Sequence, residues 1–149
     1  MNALPISVLL LARDEGPRLR SLLPELAFAR DVVVVVDPAT RDDTRQVAAA
    51  AGARVFERAL DGFGPQRRFA LAQCTQPWVL WIDADERLDE RGRDAIARAV
   101  EDPGGAAAYR VRRHGFFLGR RIRFCGWQGE RVTRLFRREC SRFDDAPVH

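Results

Sequence analysis

Short apolar runs recur through the first 105 residues and alternate with segments in which apolar residues have helical spacing. A continuous run of four to eight apolar residues is typical of a strand that is covered on both faces. Five consecutive valines at residues 32–36 are the clearest example. The runs predict strands at residues 6–12, 32–36, 53–57 and 78–82.

Helices are predicted between and after these strands, at residues 17–29, 44–51, 64–74 and 89–100. In the first of them Leu19, Leu22 and Leu26 share one helical face, and Pro17 suits a first helical turn. Gly52 ends the second. Strands that alternate with helices predict a mostly parallel sheet with helices on both sides.

The pattern changes after Gly105. Strands are predicted at residues 106–113 and 131–138, with a turn at His114 and Gly115 and an aromatic and basic segment at residues 116–124. The C-terminal part of the chain is therefore expected to be a β-rich segment that follows an α/β unit.

Composition is that of one folded domain. The chain has 149 residues, of which 46% are hydrophobic and 31% charged, values typical of globular rather than disordered proteins. No apolar run approaches the roughly 20 residues of a membrane-spanning helix, and the first residues lack the basic start of a secretory signal. Three widely spaced cysteines without a CxxC pair argue against a disulfide framework or a zinc site. These features favour a cytoplasmic location.

Positive charge is concentrated in the C-terminal part. The net charge is +4 and every basic residue is arginine, and from Tyr109 onward there are 11 arginines against four acidic residues. Such a segment favours an anionic partner, whether phosphate, nucleic acid or a membrane surface.

Acidic residues follow three of the predicted strands. Asp14 and Glu15 come after the first strand, Asp37 after the second, and an Asp-Ala-Asp triplet at residues 83–85 after the fourth. Because the carboxyl ends of parallel strands share one edge of a sheet, where ligands of such folds bind, these acids are expected to lie together. Two carboxylates there suit Mg²⁺ or Mn²⁺, which prefer oxygen ligands.

Each of these acids also has a simpler interpretation. Asp37 is a residue type that commonly stabilises a turn after a strand, and Glu15 could offset the dipole of the following helix. An isolated Asp-x-Asp triplet could cap a helix or face solvent. The position of all three sets at strand ends is what favours a binding site.

Four ordered segments carry a family resemblance. They are SVLLLARDE at residues 7–15, VVVD with Thr40, Asp42 and Thr44 at 34–44, GFGPQR at 62–67 and WVLWIDADER at 78–87, followed by FLGR, GW, RLFRR and VH at 117–149. The chain resembles the large family of inverting glycosyltransferases, glycosyl transferase family 2, which has the GT-A fold. It is most similar to the bacterial branch that includes the lipopolysaccharide-core β-1,4-glucosyltransferases.

The resemblance implies the roles of individual residues. It implies a three-layer α/β/α GT-A (Rossmann-like) fold in which donor-binding residues are Ala12, Arg13, Asp14, Glu15, Asp37, Arg67 and Asp83. Asp37 would bind the base, Arg67 would lie near the diphosphate, and Asp85 with Asp83 would hold Mg²⁺ or Mn²⁺. His149 is a further candidate metal ligand. Glu130, the acid near the Gly-Trp motif, is the candidate catalytic base.

The resemblance also implies partners and organisation. The donor would be a UDP-sugar and the acceptor a saccharide or glycolipid of the cell envelope such as the lipopolysaccharide core, with peripheral contact to the anionic inner face of the cytoplasmic membrane. Residues 1–105 would form the donor-binding unit, and residues 106–149 the start of the acceptor side. Related enzymes continue further, so the acceptor side is expected to be incomplete. In the second motif Pro38 and Ala39 replace the small polar residues usual in the family, and Arg68 replaces an asparagine common in the third.

Two other classes of function are compatible with parts of the sequence. The arginines and aromatic residues between 110 and 142 could bind single-stranded nucleic acid, but that segment has no recognisable nucleic-acid motif and such a function leaves the strand-end acids unexplained, so no nucleic acid is expected as a partner. A sugar nucleotidyltransferase normally needs a glycine-rich, basic loop after the first strand, whereas Gly16 follows two acids here.

Overall fold

The computed structural model describes residues 2–59, 61–102, 104–114, 116–117, 120–121 and 128–140, and at residues 113–114, 116–117, 120–121 and 128–131 it describes the backbone alone. The strands are β1 (Leu4–Ala12), β2 (Ala29–Val36), β3 (Arg54–Glu57), β4 (Trp78–Trp81), β5 (Ala108–His114), β6 (Phe116–Phe117), β7 (Arg120–Arg121) and β8 (Gln128–Arg137). The α-helices are α1 (Gly16–Leu22), α2 (Thr44–Ala50), α3 (Phe63–Gln73) and α4 (Glu90–Glu101), and two short 3-10 helices cover Leu23–Leu26 and Arg138–Cys140.

Six strands form one sheet in the order β3-β2-β1-β4-β8-β5, and β6 pairs with β7 separately. The first four are mutually parallel: Ala12 of β1 lies opposite Val36 of β2, and Leu9 opposite Trp81 of β4. β8 and β5 are antiparallel to their neighbours. The predicted mostly parallel sheet is confirmed, and the carboxyl ends of β1, β2 and β4 meet at one edge.

Helices cover both faces of the sheet. On one face Leu19 and Leu22 of α1 and Ile96 of α4 pack against Val8 and Leu10 of β1. On the other face Ala70 of α3 packs with Leu9 of β1, next to Val33, Val35 and Trp81. Adjacent residues of β1 thus enter opposite cores, which is why its sequence is continuously apolar rather than alternating. The predicted three-layer α/β/α arrangement is confirmed.

β8 occupies a position that the strand pattern did not predict, between β4 and β5. Its Leu135 enters the first core and its neighbour Phe136 the second, so β8 is buried on both faces in this part. The antiparallel register sets Leu80 of β4 opposite Leu135. Arg134, the preceding residue of β8, is thereby brought to the carboxyl end of β4.

Two local predictions were wrong. The helix predicted at residues 17–29 ends as an α-helix at Leu22 and continues as the 3-10 helix, because Pro24 lacks the N–H that an α-helical hydrogen bond would need. β2 then begins at Ala29. His114, predicted in a turn, is the last residue of β5 and pairs with Gln128.

Among the described helices, none has the length and apolar content required to cross a membrane.

Candidate functional site

The ends of β1, β2 and β4 define the candidate site. Asp37 continues directly from β2, and its N–H donates to the carbonyl of Ala12 at 3.0 Å. Asp83 follows β4 on the other side of β1. Because β2 and β4 lie on opposite sides of β1 in the sheet, Asp37 and Asp83 lie on either side of the end of β1. The strand order changes direction beside β1, which is where parallel sheets form a ligand-binding crevice.

The loop after β1 is fixed by a residue with unusual backbone geometry. Asp14 has a φ of 50°, in the left-handed region that non-glycine residues rarely adopt. Its Oδ1 accepts hydrogen bonds from the N–H groups of Arg41, at 2.7 Å, and Asp42, at 3.2 Å. The carboxylate therefore joins the loop after β1 to the loop after β2.

Asp42 completes this connection from the other side. Its Oδ2 accepts a hydrogen bond from the N–H of Gly16 at 2.9 Å, and its Oδ1 accepts from the hydroxyl and the N–H of Thr44. Thr44 Oγ1 in turn accepts from the N–H of Glu15 at 2.9 Å. The bond from the Thr44 hydroxyl, with those from the two N–H groups, lowers the pKa of Asp42 despite its partial desolvation. The two loops form one hydrogen-bonded unit.

The loop that carries Asp37 is held by a second set of contacts. Asp37 Oδ1 accepts from the N–H of Ala39 at 2.8 Å, so the interpretation of Asp37 as a turn-stabilising residue is confirmed. Arg45 of α2 donates to the carbonyls of Pro38 and Thr40, both at 3.1 Å, and pairs with Glu57 at the end of β3. Arg45 was not singled out in the sequence because a lone arginine on a helix carries no distinguishing pattern.

The acidic triplet forms a tight turn. The N–H of Glu86 donates to the carbonyl of Asp83, and the N–H of Asp83 donates to Glu86 Oε2, both at 2.9 Å. Ala84 is buried at 5% exposure while Asp85 is exposed. The chain thus turns at Ala84 and Asp85, and the carboxylates on either side of Ala84 remain accessible. Trp81 Nε1 donates to Asp83 Oδ1 at 3.1 Å and orients that side chain.

Two arginines lie against this turn. Arg134 Nη2 is 3.2 Å from Asp83 Oδ2 and 2.9 Å from Glu86 Oε1, and its side chain is only 12% exposed. Arg67 of α3 stacks on Trp81, with its guanidinium carbon 4.0 Å from the ring centroid. Its buried Nε has no hydrogen-bond partner in the described part of the chain. Burial lowers the pKa of Arg67, the Arg134 charge acts in the same direction, and the Asp83 charge opposes both; an arginine still remains cationic at neutral pH.

Arg134 and Glu86 were missed in the sequence. Arg134 belongs to a segment with several arginines, and nothing local separates it from Arg137 or Arg138. Its role emerges only from the pairing of β8 with β4. Glu86 stands directly after the acidic triplet, but its contact with the backbone of Asp83 depends on the turn geometry.

The donor atoms of the turn suit a hard divalent cation. Asp83 has a half-exposed side chain, at 48%, and Asp85 is exposed. No cluster of three or more histidine, cysteine or acidic residues that could hold a metal occurs among the described residues. Mg²⁺ is commonly bound by one or two carboxylates, with phosphate and water completing its shell, so a pair of aspartates fits that mode of binding.

The remaining predicted site residues differ in their exposure, and two of them have side chains outside the described part of the chain. Ala12 is buried at the end of β1, and Arg13 is exposed in the loop that follows. Glu15 is partly exposed and pairs with Arg18 at 3.0 Å. The backbone of Glu130 belongs to β8, but its side chain lies outside the described residues, as does all of His149.

Comparison with known sequences identifies a family. The sequence profile of glycosyl transferase family 2 matches residues 7–147. A lipopolysaccharide core biosynthesis glycosyltransferase, LpsC of Rhizobium meliloti strain 1021, is 30% identical over 146 residues, which cover 95% of this chain and 54% of that protein. The chain therefore spans about half the length of this relative.

Solved structures show the same architecture. TarS residues 1–349 from S. aureus align with a TM-score of 0.50 and 27% identity, over 65% of this chain and 32% of that one. The mannosyltransferase PcManGT from Pyrobaculum calidifontis, solved with GDP-Man and Mn²⁺, aligns with a TM-score of 0.59 and 21% identity, over 76% of this chain and 37% of that one. These likenesses agree with the profile match and confirm the predicted GT-A fold.

Proposed function

The chain belongs to glycosyl transferase family 2, and we propose that it binds a UDP-sugar with a divalent cation at the ends of β1, β2 and β4 and transfers the sugar with inversion. The observation that carries this proposal is the grouping at one sheet edge of Asp37, Asp83 and Asp85 with the cationic Arg67 and Arg134. Carboxylates to hold a cation and guanidinium groups to face phosphates are the two requirements of a metal–diphosphate site.

Donor binding is assigned to the two joined loops and to the acidic turn. The loop from Ala12 to Glu15 and the side chain of Asp37 would contact the base. Asp83 would meet the ribose or the cation, and Asp85 would be the principal cation ligand. When bound, the cation would neutralise charge on the diphosphate. Arg67, whose buried Nε has no partner among the described residues, would lie beside the same diphosphate.

The proposed reaction is a single displacement. An acceptor hydroxyl oxygen forms a bond to the anomeric carbon while the bond from that carbon to the diphosphate oxygen breaks, and the nucleoside diphosphate leaves with the electron pair. Glu130 is proposed to take the proton of the acceptor hydroxyl as general base. The charge that develops on the leaving group would be stabilised by the fixed guanidinium groups of Arg67 and Arg134.

The acceptor is proposed to be a saccharide or glycolipid of the cell envelope, bound mainly by the segment after residue 105. LpsC, a lipopolysaccharide core glycosyltransferase by its name, supports that class. The arginine-rich composition of the segment suits a phosphorylated acceptor and the anionic inner face of the cytoplasmic membrane. Residues 1–105 are proposed as the main part of the donor-binding unit, to which β8 adds Arg134, working on the cytoplasmic side.

Calorimetric titration of UDP with and without Mn²⁺ tests donor binding. We expect binding that needs Mn²⁺ and is reduced at least about tenfold in Asp83→Asn and Asp85→Asn, since each substitution removes one anionic ligand. Asp94→Asn, an exposed change in α4, is the matched control and should bind UDP normally. RNA binding without a metal requirement, together with no UDP binding, would contradict the proposal. A hydrolysis screen over several UDP-sugars then identifies the donor.

A further inference from the structure

Asp83, Arg134 and Glu86 form a closed ring of contacts. Arg134 Nη2 donates to Asp83 Oδ2 at 3.2 Å and to Glu86 Oε1 at 2.9 Å. The second oxygen of Glu86, Oε2, accepts the N–H of Asp83 at 2.9 Å. The carboxylate that is proposed to meet the cation is therefore already paired with a cation supplied by the chain itself.

Further contacts fix the positions of Arg134 and Asp83. Arg134 lies in β8, next to the fully buried Leu135, and its guanidinium carbon is 5.8 Å from the ring centroid of Trp81. Trp81 anchors the remaining oxygen of Asp83 through its indole N–H. A side chain that is 12% exposed and packed in this way loses less entropy in holding its partners than a surface arginine would.

We propose that Arg134 makes the acidic turn bind a divalent cation weakly on its own and strongly together with a nucleoside diphosphate. This inference rests on the proposed function. A divalent cation at Asp83 would share the carboxylate with Arg134 Nη2, which lies 3.2 Å from Asp83 Oδ2, and two cations that share one partly buried carboxylate repel each other. A diphosphate brings negative charge that attracts both cations, so the repulsion is relieved only when the nucleotide is present.

Arg134→Gln separates the two effects. In this variant Mn²⁺ alone, followed by electron paramagnetic resonance of the free ion, is expected to bind at least about tenfold more tightly than to the unmodified chain, because the repelling charge is gone. UDP at saturating Mn²⁺, measured by calorimetry, is expected to bind about fivefold more weakly, since one charge-assisted contact is lost. Opposite changes for the two ligands are the signature of this role.

Arg137→Gln is the matched control. Arg137 lies in the same strand three residues on, but it stacks on Trp78 at the other end of β4, with 4.7 Å from its guanidinium carbon to the ring centroid. The Arg137→Gln substitution removes the same charge without changing the contacts among Asp83, Arg134 and Glu86, so the affinities for Mn²⁺ and for UDP should both stay within about twofold of those of the unmodified chain. Arg134→Lys keeps the charge and should preserve weak binding of Mn²⁺ alone; tighter binding of Mn²⁺ alone by this variant would contradict a role of the charge, so the inference stays testable if the glutamine variant folds poorly.

Three outcomes would overturn the inference. If Arg134→Gln matches Arg137→Gln for Mn²⁺ alone, Arg134 does not oppose the cation. If Arg134→Gln weakens Mn²⁺ and UDP binding together, Arg134 only maintains the shape of the turn. If the unmodified chain binds no UDP with Mn²⁺, the proposed function itself fails and the inference fails with it; this result is distinguishable from the first two.

Discussion

Replacing Asp31 with asparagine is expected to destabilise the fold by about 2–3 kcal/mol. Asp31 lies in β2 with a side chain that is 7% exposed, and it receives the guanidinium of Arg54 through bonds of 2.9 and 2.8 Å. Its Oδ2 also accepts from the hydroxyls of Ser7, at 2.6 Å, and Thr75, at 3.0 Å. This cluster joins β1, β2, β3 and the segment before β4.

The magnitude follows from what an asparagine can no longer accept. The asparagine side chain has one acceptor oxygen where the carboxylate of Asp31 has two, and its NH₂ group would face the groups that donate to the second oxygen. Removing one partner of a buried ion pair typically costs about 3–5 kcal/mol. Arg54 is 41% exposed and can recover part of its hydration, which lowers the expected loss to about 2–3 kcal/mol. The corresponding fall in melting temperature is about 5–10 °C for a chain of this length.

Urea unfolding followed by tryptophan fluorescence measures the effect, with Asp43→Asn as the matched control. Asp43 pairs with Arg20 on the surface, where both side chains are more than half exposed, and such pairs contribute less than about 1 kcal/mol. Equal stabilities of the two variants at pH 7 would refute the argument.

The pH dependence provides a second check. Burial acts to raise the pKa of Asp31, but the hydrogen bonds from Arg54, Ser7 and Thr75 outweigh it, so the pKa lies below its ordinary value of 3.8. The stabilisation by the ionised carboxylate is thus complete above the unfolded-state pKa and is lost as pH falls through the lower folded-state value. The difference between the unmodified chain and Asp31→Asn should persist from pH 7 to about 5 and shrink below about 4.

One further substitution and one difference in cysteine reactivity are predicted. In Gly16→Ala the new Cβ would crowd Asp43 Oδ1 and would lie 2.9 Å from Asp42 Oδ2, the oxygen that accepts the Gly16 N–H. The exposed side chain of Asp43 can move aside, but Asp42 is held by its bonds to Gly16 and Thr44, so we expect a loss of about 1 kcal/mol in urea unfolding and weaker UDP binding. Gly104→Ala, where only ordinary van der Waals contacts arise, should behave normally, and equal effects would contradict the crowding. Burial raises the pKa of the Cys74 thiol to about 12. In a variant that keeps Cys74 and has serine at the other two cysteines, the thiol should therefore react with a disulfide reagent at pH 8 only after unfolding. In the variant that keeps only the exposed Cys140, the thiol should react at once, and equal rates for the two folded variants would show that Cys74 is accessible.

The parallel core could be predicted because its signals are local. The continuous apolar runs of β1 and β2 reflect burial on both faces, and the acids after β1, β2 and β4 were placed on one edge by the geometry of parallel strands alone. The limits of these elements were predicted to within a few residues. The exception is α1, where Pro24 converts an apparently continuous helix into a 3-10 turn.

The contacts within the candidate site were less accessible from the sequence. Asp14 was predicted to bind the donor, and that role stays a prediction, while its carboxylate holds the next loop through Arg41 and Asp42. Hydrogen bonds from the backbone N–H groups of one loop to a side chain of another loop produce no periodic pattern in the sequence of either loop. Glu130 and His149 likewise remain predictions.

Local residue patterns therefore established the strands, the helices and the acidic strand ends of this glycosyl transferase family 2 chain. The environment of those acids depends on long-range pairing. Arg134 is 51 residues from Asp83 in the sequence, and the two meet because burial of Leu135 and Phe136 on opposite faces sets β8 beside β4. Periodicity specifies which face of a strand is apolar, but the neighbour that a strand selects depends on the packing of the whole sheet.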